Sequence, residues 1–289
     1  MKICGFSFIR NANKFSYPVI ESVQSVLPVC DKFIMNVGNS EDNTLEIIQS
    51  IPSDKIEIIE STWDDANRTN GEVLSQETNK AFDRIPEEYD WAFYIQADEV
   101  VHEKYLDVIR QSMEKWNSNP EVEGLLFKYL HFYGSYEYNA DSRFWYRNEI
   151  RIVRNDRNIR SYKDAQGFRI NGRKLRAKAV DAFIYHYGRV RPPELMQQKH
   201  VDFNKLYHSD QWVDRKINHT QLYDYSSVES IVRFRDTHPK VMEDRINNID
   251  WEVELDENKK KYKPSDWVLN WIERKTGKRL FEYRNYKLI

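Results

Sequence analysis

The chain has 289 residues, enough to bury a sizeable core without disulfide or metal staples and too few for two large domains. Its 44 basic and 46 acidic residues leave a formal charge of −2, which excludes the strong basic excess of a wholesale nucleic-acid binder. The two cysteines, Cys4 and Cys30, are too few for a disulfide framework, although a pairing of the two stays open, and no apolar run approaches the ~18 residues that span a bilayer.

From residue 1 to about 100 strands and helices alternate. The N-terminal stretch MKICGFSFIRNANK has no signal-peptide core or cleavage site, which predicts a cytoplasmic protein, at most peripheral at the inner membrane. Ile3 to Ile9 is an apolar run suited to a strand buried on both faces. Pro18 opens a helix with Val19, Ile20, Val23, Val26 and Leu27 on one face. Lys32 to Val37 reads as the second strand, and Asn43 to Glu46 has capping-box spacing ahead of Leu45, Ile47 and Ile48. Lys55 to Ile59 is a third strand, Glu72 to Arg84 a helix, Trp91 to Ile95 a fourth strand and Glu103 to Trp116 another helix. This alternation predicts right-handed crossovers and a mostly parallel sheet flanked by helices. Ligands of such sheets bind beyond the carboxyl ends of the strands, here after Ile9, Val37, Ile59 and Ile95.

Beyond residue 120 the pattern changes. Gly124 to Tyr133, Glu149 to Val153 and Ala182 to Tyr187 read as strands without long intervening helices, a mixed or antiparallel extension of the sheet. Arg191-Pro192-Pro193 can continue neither a helix nor an inner strand and marks the seam between residues 1–190 and a C-terminal extension, 191–289. The extension reads as helices packed on the core. Ser265 caps a stretch with Trp267, Val268, Leu269, Trp271 and Ile272 that stops at Gly277, and Trp251 and Phe281 add further apolar surface.

The fourth strand runs into Gln96-Ala97-Asp98-Glu99. A carboxylate at that place can hold a hard cation such as Mg²⁺, which binds through one or two carboxylates and substrate phosphates. An ion there would meet the charge that develops on a departing nucleoside diphosphate. The same two acids also suit the start of the helix at Glu103. Asp98 is read together with Arg10-Asn11 after the first strand, Gly38 to Thr44 after the second, and Asn79 on the helix before the fourth. In this order and spacing the fragments resemble the family 2 glycosyltransferases, over roughly residues 3 to 110 and more loosely over 124 to 190.

The resemblance implies a GT-A fold and transfer of a hexosyl or related sugar from a nucleotide-diphosphate sugar to a glycan or lipid-linked acceptor, with inversion and with Mn²⁺ or Mg²⁺. Arg10, Asn11, Gly38, Asn39, Asn79, Gln96 and Asp98 would hold the donor, and Asp98 with His186 of Tyr185-His186-Tyr187-Gly188-Arg189 the metal. His186 reads equally as a histidine bonded to backbone, and imidazole suits Mn²⁺ better than Mg²⁺. The chain departs from the pattern at three places. Val37 and Gln96 stand where the family has acids, and Thr78 where it has an arginine; Arg68 is the candidate replacement cation, or a solvated loop residue. For the base that accepts the acceptor's proton the candidates are Asp164, preferred, Glu149 and Asp141. Tyr129, His131, Phe132 and Tyr133 are either acceptor-site aromatics or core.

Twelve Lys and Arg lie between Arg143 and Lys178 against three acids. Such a block suits a diphosphate, a phosphorylated acceptor or an anionic membrane surface, and equally a solvated face. Two other functions stay open. Val37 and Gln96 favour a non-catalytic nucleotide-sugar or glycan-binding module on the same fold. A nucleotidyltransferase ranks below it, because residues 10 to 17 (RNANKFSY) have no glycine for a phosphate loop.

Overall fold

The structure is a computed structural model that describes residues 1–64 and 70–289, with Arg274 described by its backbone alone. Four parallel strands form its centre: β1 Ile3–Ile9, β2 Lys32–Gly38, β3 Ile56–Ser61 and β4 Trp91–Tyr94, in the order β3-β2-β1-β4. They are connected through α1 Val19–Val26, α2 Thr44–Gln49 and α3 Glu72–Asp83. The strand pleat sends alternate side chains to opposite layers. Phe33, Met35, Val37, Phe93 and Ile95 pack with Val19, Val23 and Val26 of α1. Cys4, Phe6, Ile34, Ala92 and Tyr94 pack with Val73, Leu74, Ala81 and Phe82 of α3. The thiols of Cys4 and Cys30 are free and buried.

The sheet then turns mixed. After β5 Glu99–Val101 and α4 Leu106–Trp116 come β6 Gly124–Tyr133, β7 Tyr138–Ala140 and β8 Asn148–Arg154, with β8 antiparallel to both β4 and β6. β9 Ile159–Tyr162, β10 Gly167–Ile170 and β11 Arg173–Lys174 form a small antiparallel sheet. The long β12 Arg176–Arg189 runs parallel to β6 and antiparallel to β5. The expected α/β class, a mostly parallel sheet with helices and an antiparallel extension, is the one observed. Helix ends differ in detail. Asn43 makes no side-chain cap; Asp42 accepts from the backbone N–H and the hydroxyl of Thr44 instead. Pro264, not Ser265, begins the last helix.

The C-terminal part is less helical than its sequence predicts. It holds α5 Pro193–Asn204, α6 Asp210–Lys216, β13 Ile231–Arg233, α7 Glu243–Asn247, α8 Pro264–Thr276 and β14 Lys287–Leu288. β13 extends the main sheet on β7, and β14 pairs with β12. The reason is local: three or two residues suffice to add a strand to an existing edge, too few to show a period. Ion pairs also join this part to residues 1–190: Arg245 to Glu21, and Arg143 and Arg147 to Glu273. Trp267, Trp271 and Phe281, expected in the core, are 54 %, 62 % and 91 % exposed. Among the described residues no helix is long and apolar enough to cross a membrane.

Candidate functional site

β1 and β4 end side by side, and the turn after β4 is pinned from three directions. Ser7 Oγ donates to the carbonyl of Ile95 at 2.6 Å, Ser22 Oγ to that of Gln96 at 2.8 Å, and the N–H of Tyr187 to that of Asp98 at 2.7 Å. Glu99 turns away from the surface. Its carboxylate, 0 % exposed, is held by Arg151 (1 % exposed) at 2.8 and 2.7 Å, by the Tyr129 hydroxyl at 2.7 Å and by the Gln96 N–H at 3.1 Å. Glu99 is therefore the anchor of the turn, and Asp98 is the acid presented to a cleft of about 800 Å³.

β12 brings His186 to this carboxylate. In the ladder His186 stands opposite Glu99 of β5 and His131 of β6. His131 Nε2 lies 2.7 Å from the Tyr146 carbonyl, which only accepts, so this nitrogen carries the proton. Burial holds His131 well below the usual histidine range, so the ring is neutral and its Nδ1 accepts. The partner Nδ1 of His186, 3.1 Å away, must then donate, which leaves a lone pair on His186 Nε2. That nitrogen is 3.8 Å from Asp98 Oδ1. The other oxygen, Oδ2, faces the ammonium of Lys199 on α5 at 3.3 Å, and this ammonium also donates to the Gly188 carbonyl at 3.2 Å.

The charges settle the protonation of Asp98. Burial alone pushes its pKa up, but the positive charges of Lys199 first and then Arg191 outweigh it and hold the group below the usual carboxylate range. Lys199 is drawn down to about 7, by burial first and then by Arg191, against the pull of Asp98. Gly188 is the residue that lets these groups meet. A Cβ there would lie 2.7 Å from His186 Nε2 and 2.8 Å from Asp98 Oδ2. Gly188→Ala is expected to cost about 1–3 kcal/mol through overpacking, measurable by urea denaturation, and to spread Asp98 from His186.

On the β1–β2 side the chain is laced to itself. Asn11, at φ +57°, accepts from the Glu41 N–H at 2.8 Å, and its own N–H donates to Ser40 Oγ at 3.0 Å. Thr44 Oγ1 accepts from the Ala12 N–H at 2.7 Å. Arg10 donates to the Asn39 carbonyl at 3.0 Å and lies over the Trp63 ring at 5.4 Å. Arg10, Asn11, Gln96, Asp98, Asp164 and His186 line the cleft. Gly38 and Asn39 do not; the Trp63 ring covers Gly38, standing where its Cβ would be, and the Trp63 backbone N–H binds Oδ1 of the exposed Asn39 at 2.9 Å. Asn79 is directed elsewhere: its amide accepts from the Ser161 N–H at 2.8 Å and ties α3 to β9. Arg68 lies outside the described residues.

Of the three candidate bases only Asp164 lines the cleft, receiving bonds from Gln166 at 2.7 Å and the Tyr207 hydroxyl at 2.9 Å. Its two neighbours, Lys163 and Ala165, both have positive φ, +55° and +59°. Two such non-glycine residues flanking one acid store strain of the kind that collects at functional sites. Glu149 is buried away from the cleft, where desolvation lifts it to about 7, and Asp141 is bonded to Ser230.

Most arginines of the basic block have partners within the chain. Arg143 and Arg147 bind Glu273, and Arg160 binds Asp83. Arg173 and Arg176 bind Glu123, while Arg154 and Arg157 bind backbone carbonyls. A linear charge count cannot show that each partner lies elsewhere in the chain. The cleft draws positive charge from Arg10 and Arg189, which belong to the sequence motifs, and from Lys199 and Lys14, which no motif marks, and its aromatic wall from Trp63, Trp145 and Tyr146. Of the aromatics in β6, Tyr129 bonds Glu99 and His131 bonds His186, while Phe132 stacks on Tyr187 in the core. Among the described residues no group of three or more His, Cys, Asp or Glu gathers to hold a metal; Asp98 and His186 are a pair.

No protein-family model matches the chain, and no curated protein matches it. Among solved structures it is similar to S. aureus TarS 1–349, at 13 % identity and a TM-score of 0.38 over 74 % of this chain and 69 % of that one. It spans 42 % of a longer S. aureus TarS chain. It is also similar to a 4-diphosphocytidyl-2C-methyl-D-erythritol synthase from Anaerococcus prevotii, at 11 % identity, TM-score 0.40, over 71 % and 95 % of the two chains. A third similar structure is glucosyl-3-phosphoglycerate synthase from Mycobacterium tuberculosis with Mn²⁺, uridine diphosphate and phosphoglyceric acid, at 13 % identity, TM-score 0.30, over 46 % and 43 %. Likenesses this remote carry no argument about activity or ligand.

Proposed function

We propose that the protein is a glycosyltransferase that moves a sugar, with inversion, from a nucleoside-diphosphate sugar to a glycan or lipid-linked acceptor. The observation that carries this reading is the meeting of Asp98, His186 and Lys199 at the carboxyl end of β4, in a cleft with Asp164 on its wall. A carboxylate oxygen and a free imidazole lone pair 3.8 Å apart can both reach one divalent ion with bonds of about 2.1 Å. Asp98 and His186 therefore fit Mn²⁺ or Mg²⁺, with diphosphate oxygens completing the shell; bound there, the ion would neutralise charge on the leaving diphosphate. Lys199 adds a second positive charge at the same point, and an arriving diphosphate favours its ammonium form. Arg10 and Trp63 support a stacked wall for the nucleotide at the end of β1. Asp164 is the base: it takes the proton of the acceptor hydroxyl as that oxygen attacks the sugar from the face opposite the diphosphate.

Asp164→Asn tests the assignment. The variant is expected to bind the donor with unchanged affinity and to lose transfer by about 10²–10⁴-fold, the usual range for a general base. Donor affinity is read by calorimetry and turnover by product formation. Equal turnover in the variant and the wild type would remove Asp164 from the role. Donor binding without turnover in the wild type itself, across acceptors, would instead favour the non-catalytic module.

A further inference from the structure

Helix α8 is apolar on two sides: Leu269 and Ile272 are half-buried toward the protein, as in an ordinary surface helix, but a second apolar strip faces outward. Its buried side chain, among those described, is Glu273, fixed by Arg143 at 2.7 Å and Arg147 at 2.8 Å, while Trp267, Val268 and Trp271 face outward. These three recur at helical spacing and form one continuous apolar strip. Gly277 ends the helix in the left-handed conformation, and Phe281 and Tyr283 beyond it are also exposed. The ion pairs fix this orientation, because rotating the helix inward would unpair Glu273.

The charge around the strip is one-sided. Residues 263–278 hold four Lys or Arg against two acids, in a chain whose net charge is −2. Lys263 before the helix and Lys275 and Lys278 at its end are exposed. Of the two acids, Glu273 is already neutralised by arginines and Asp266 is half-buried. Trp at the centre with Lys on the flanks is the composition of a helix lying in a membrane interface, where indole sits at headgroup level and ammonium groups meet anionic lipids. A second copy of this chain fits less well, since an isologous contact would set the two basic flanks against each other.

We propose that α8 is an in-plane membrane anchor that docks the protein on an anionic lipid surface through Trp267, Val268 and Trp271. The anchor shares a side of the molecule with the cleft. Arg143, which binds Glu273 and the Leu280 carbonyl, precedes Phe144, a residue 72 % exposed on the cleft lining. A bilayer under α8 thus lies beside the cleft's edge, where a lipid-linked acceptor would be presented. Vesicle binding is a property of this surface whether or not the cleft transfers sugar.

Co-sedimentation of the full chain with vesicles tests the proposal. Wild type is expected to bind vesicles of phosphatidylcholine mixed with phosphatidylglycerol, to bind pure phosphatidylcholine much less, and to release in high salt. Trp267→Ser with Trp271→Ser should reduce partitioning by about tenfold or more, with little change in melting temperature because both residues are more than half exposed. Lys263→Glu with Lys275→Glu should weaken binding to the anionic vesicles and leave the fold intact. The proposal is overturned if wild type ignores anionic vesicles or if the tryptophan variant binds as well as wild type. It is equally overturned if wild type sediments as a dimer that this variant converts to monomer, since a second copy would then cover the strip.

Discussion

Asp98→Asn is expected to lower sugar transfer by about 10²–10³-fold, the usual cost of one well-placed electrostatic contact with a leaving group. The amide keeps the shape of the side chain and removes the charge on which the site is arranged. Asp98 stays ionised in spite of burial because the positive charges of Lys199 and Arg191 hold its pKa below the usual carboxylate range. Without that charge Lys199 loses its carboxylate partner, and a divalent ion, if held there with His186 as proposed, would lose its anionic protein ligand. The Asp98 side chain reaches the cleft, so the variant should fold and its melting temperature should fall only slightly. His186→Ala should be milder, since the carboxylate and Lys199 remain. Product formation at saturating donor, with calorimetric affinity for the nucleoside diphosphate, separates loss of binding from loss of chemistry. A variant that transfers sugar at the wild-type rate would make Asp98 a spectator.

Arg151→Met is expected to cost about 3–5 kcal/mol of stability, because it leaves a buried carboxylate without its countercharge. Glu99 keeps the Tyr129 hydroxyl and the Gln96 N–H, but neither is charged. Arg151 also lies over the rings of Tyr94 and Tyr129, at 5.3 Å each, so packing is lost along with the ion pair. Arg151→Met combined with Glu99→Leu should recover much of the loss, since replacing both members of a buried pair by apolar groups is often neutral. Urea denaturation of the two variants checks this. A loss below about 1 kcal/mol in the single variant would mean that the pair is solvated, as exposed pairs are.

The first four strands were legible because each carries a short apolar run; β1, β2 and β4 are buried on both faces, and β3, at the edge, is half-buried. Their parallel order followed from the helices between them, and the strand-end rule then pointed to Asp98 without any contact being known. The alternation of Phe183, Tyr185 and Tyr187 with His186 marked a strand, but its place beside β5 and β6 depends on a ladder that no local pattern encodes. Lys199 was not legible at all: it is 101 residues from Asp98, on a helix whose sequence gives no sign of facing a carboxylate. Trp63 was missed for a similar reason, since a lone tryptophan after an edge strand has no period to read. The basic block from Arg143 to Lys178 stayed open between a ligand surface and a solvated face, because composition shows charges and not their partners. Trp267 and Trp271 misled because helical spacing shows which residues share a face, and not whether that face meets protein or water.

Cleavage of the bond between a sugar and a nucleoside diphosphate in the cleft has a direct readout, the release of nucleoside diphosphate. The protein is incubated with a panel of nucleotide sugars and acceptors, and the released nucleoside diphosphate is assayed. The expected result is release from one donor, dependent on acceptor and reduced about 10²–10³-fold in Asp98→Asn. Release from no donor, or release that Asp98→Asn leaves unchanged, would contradict it.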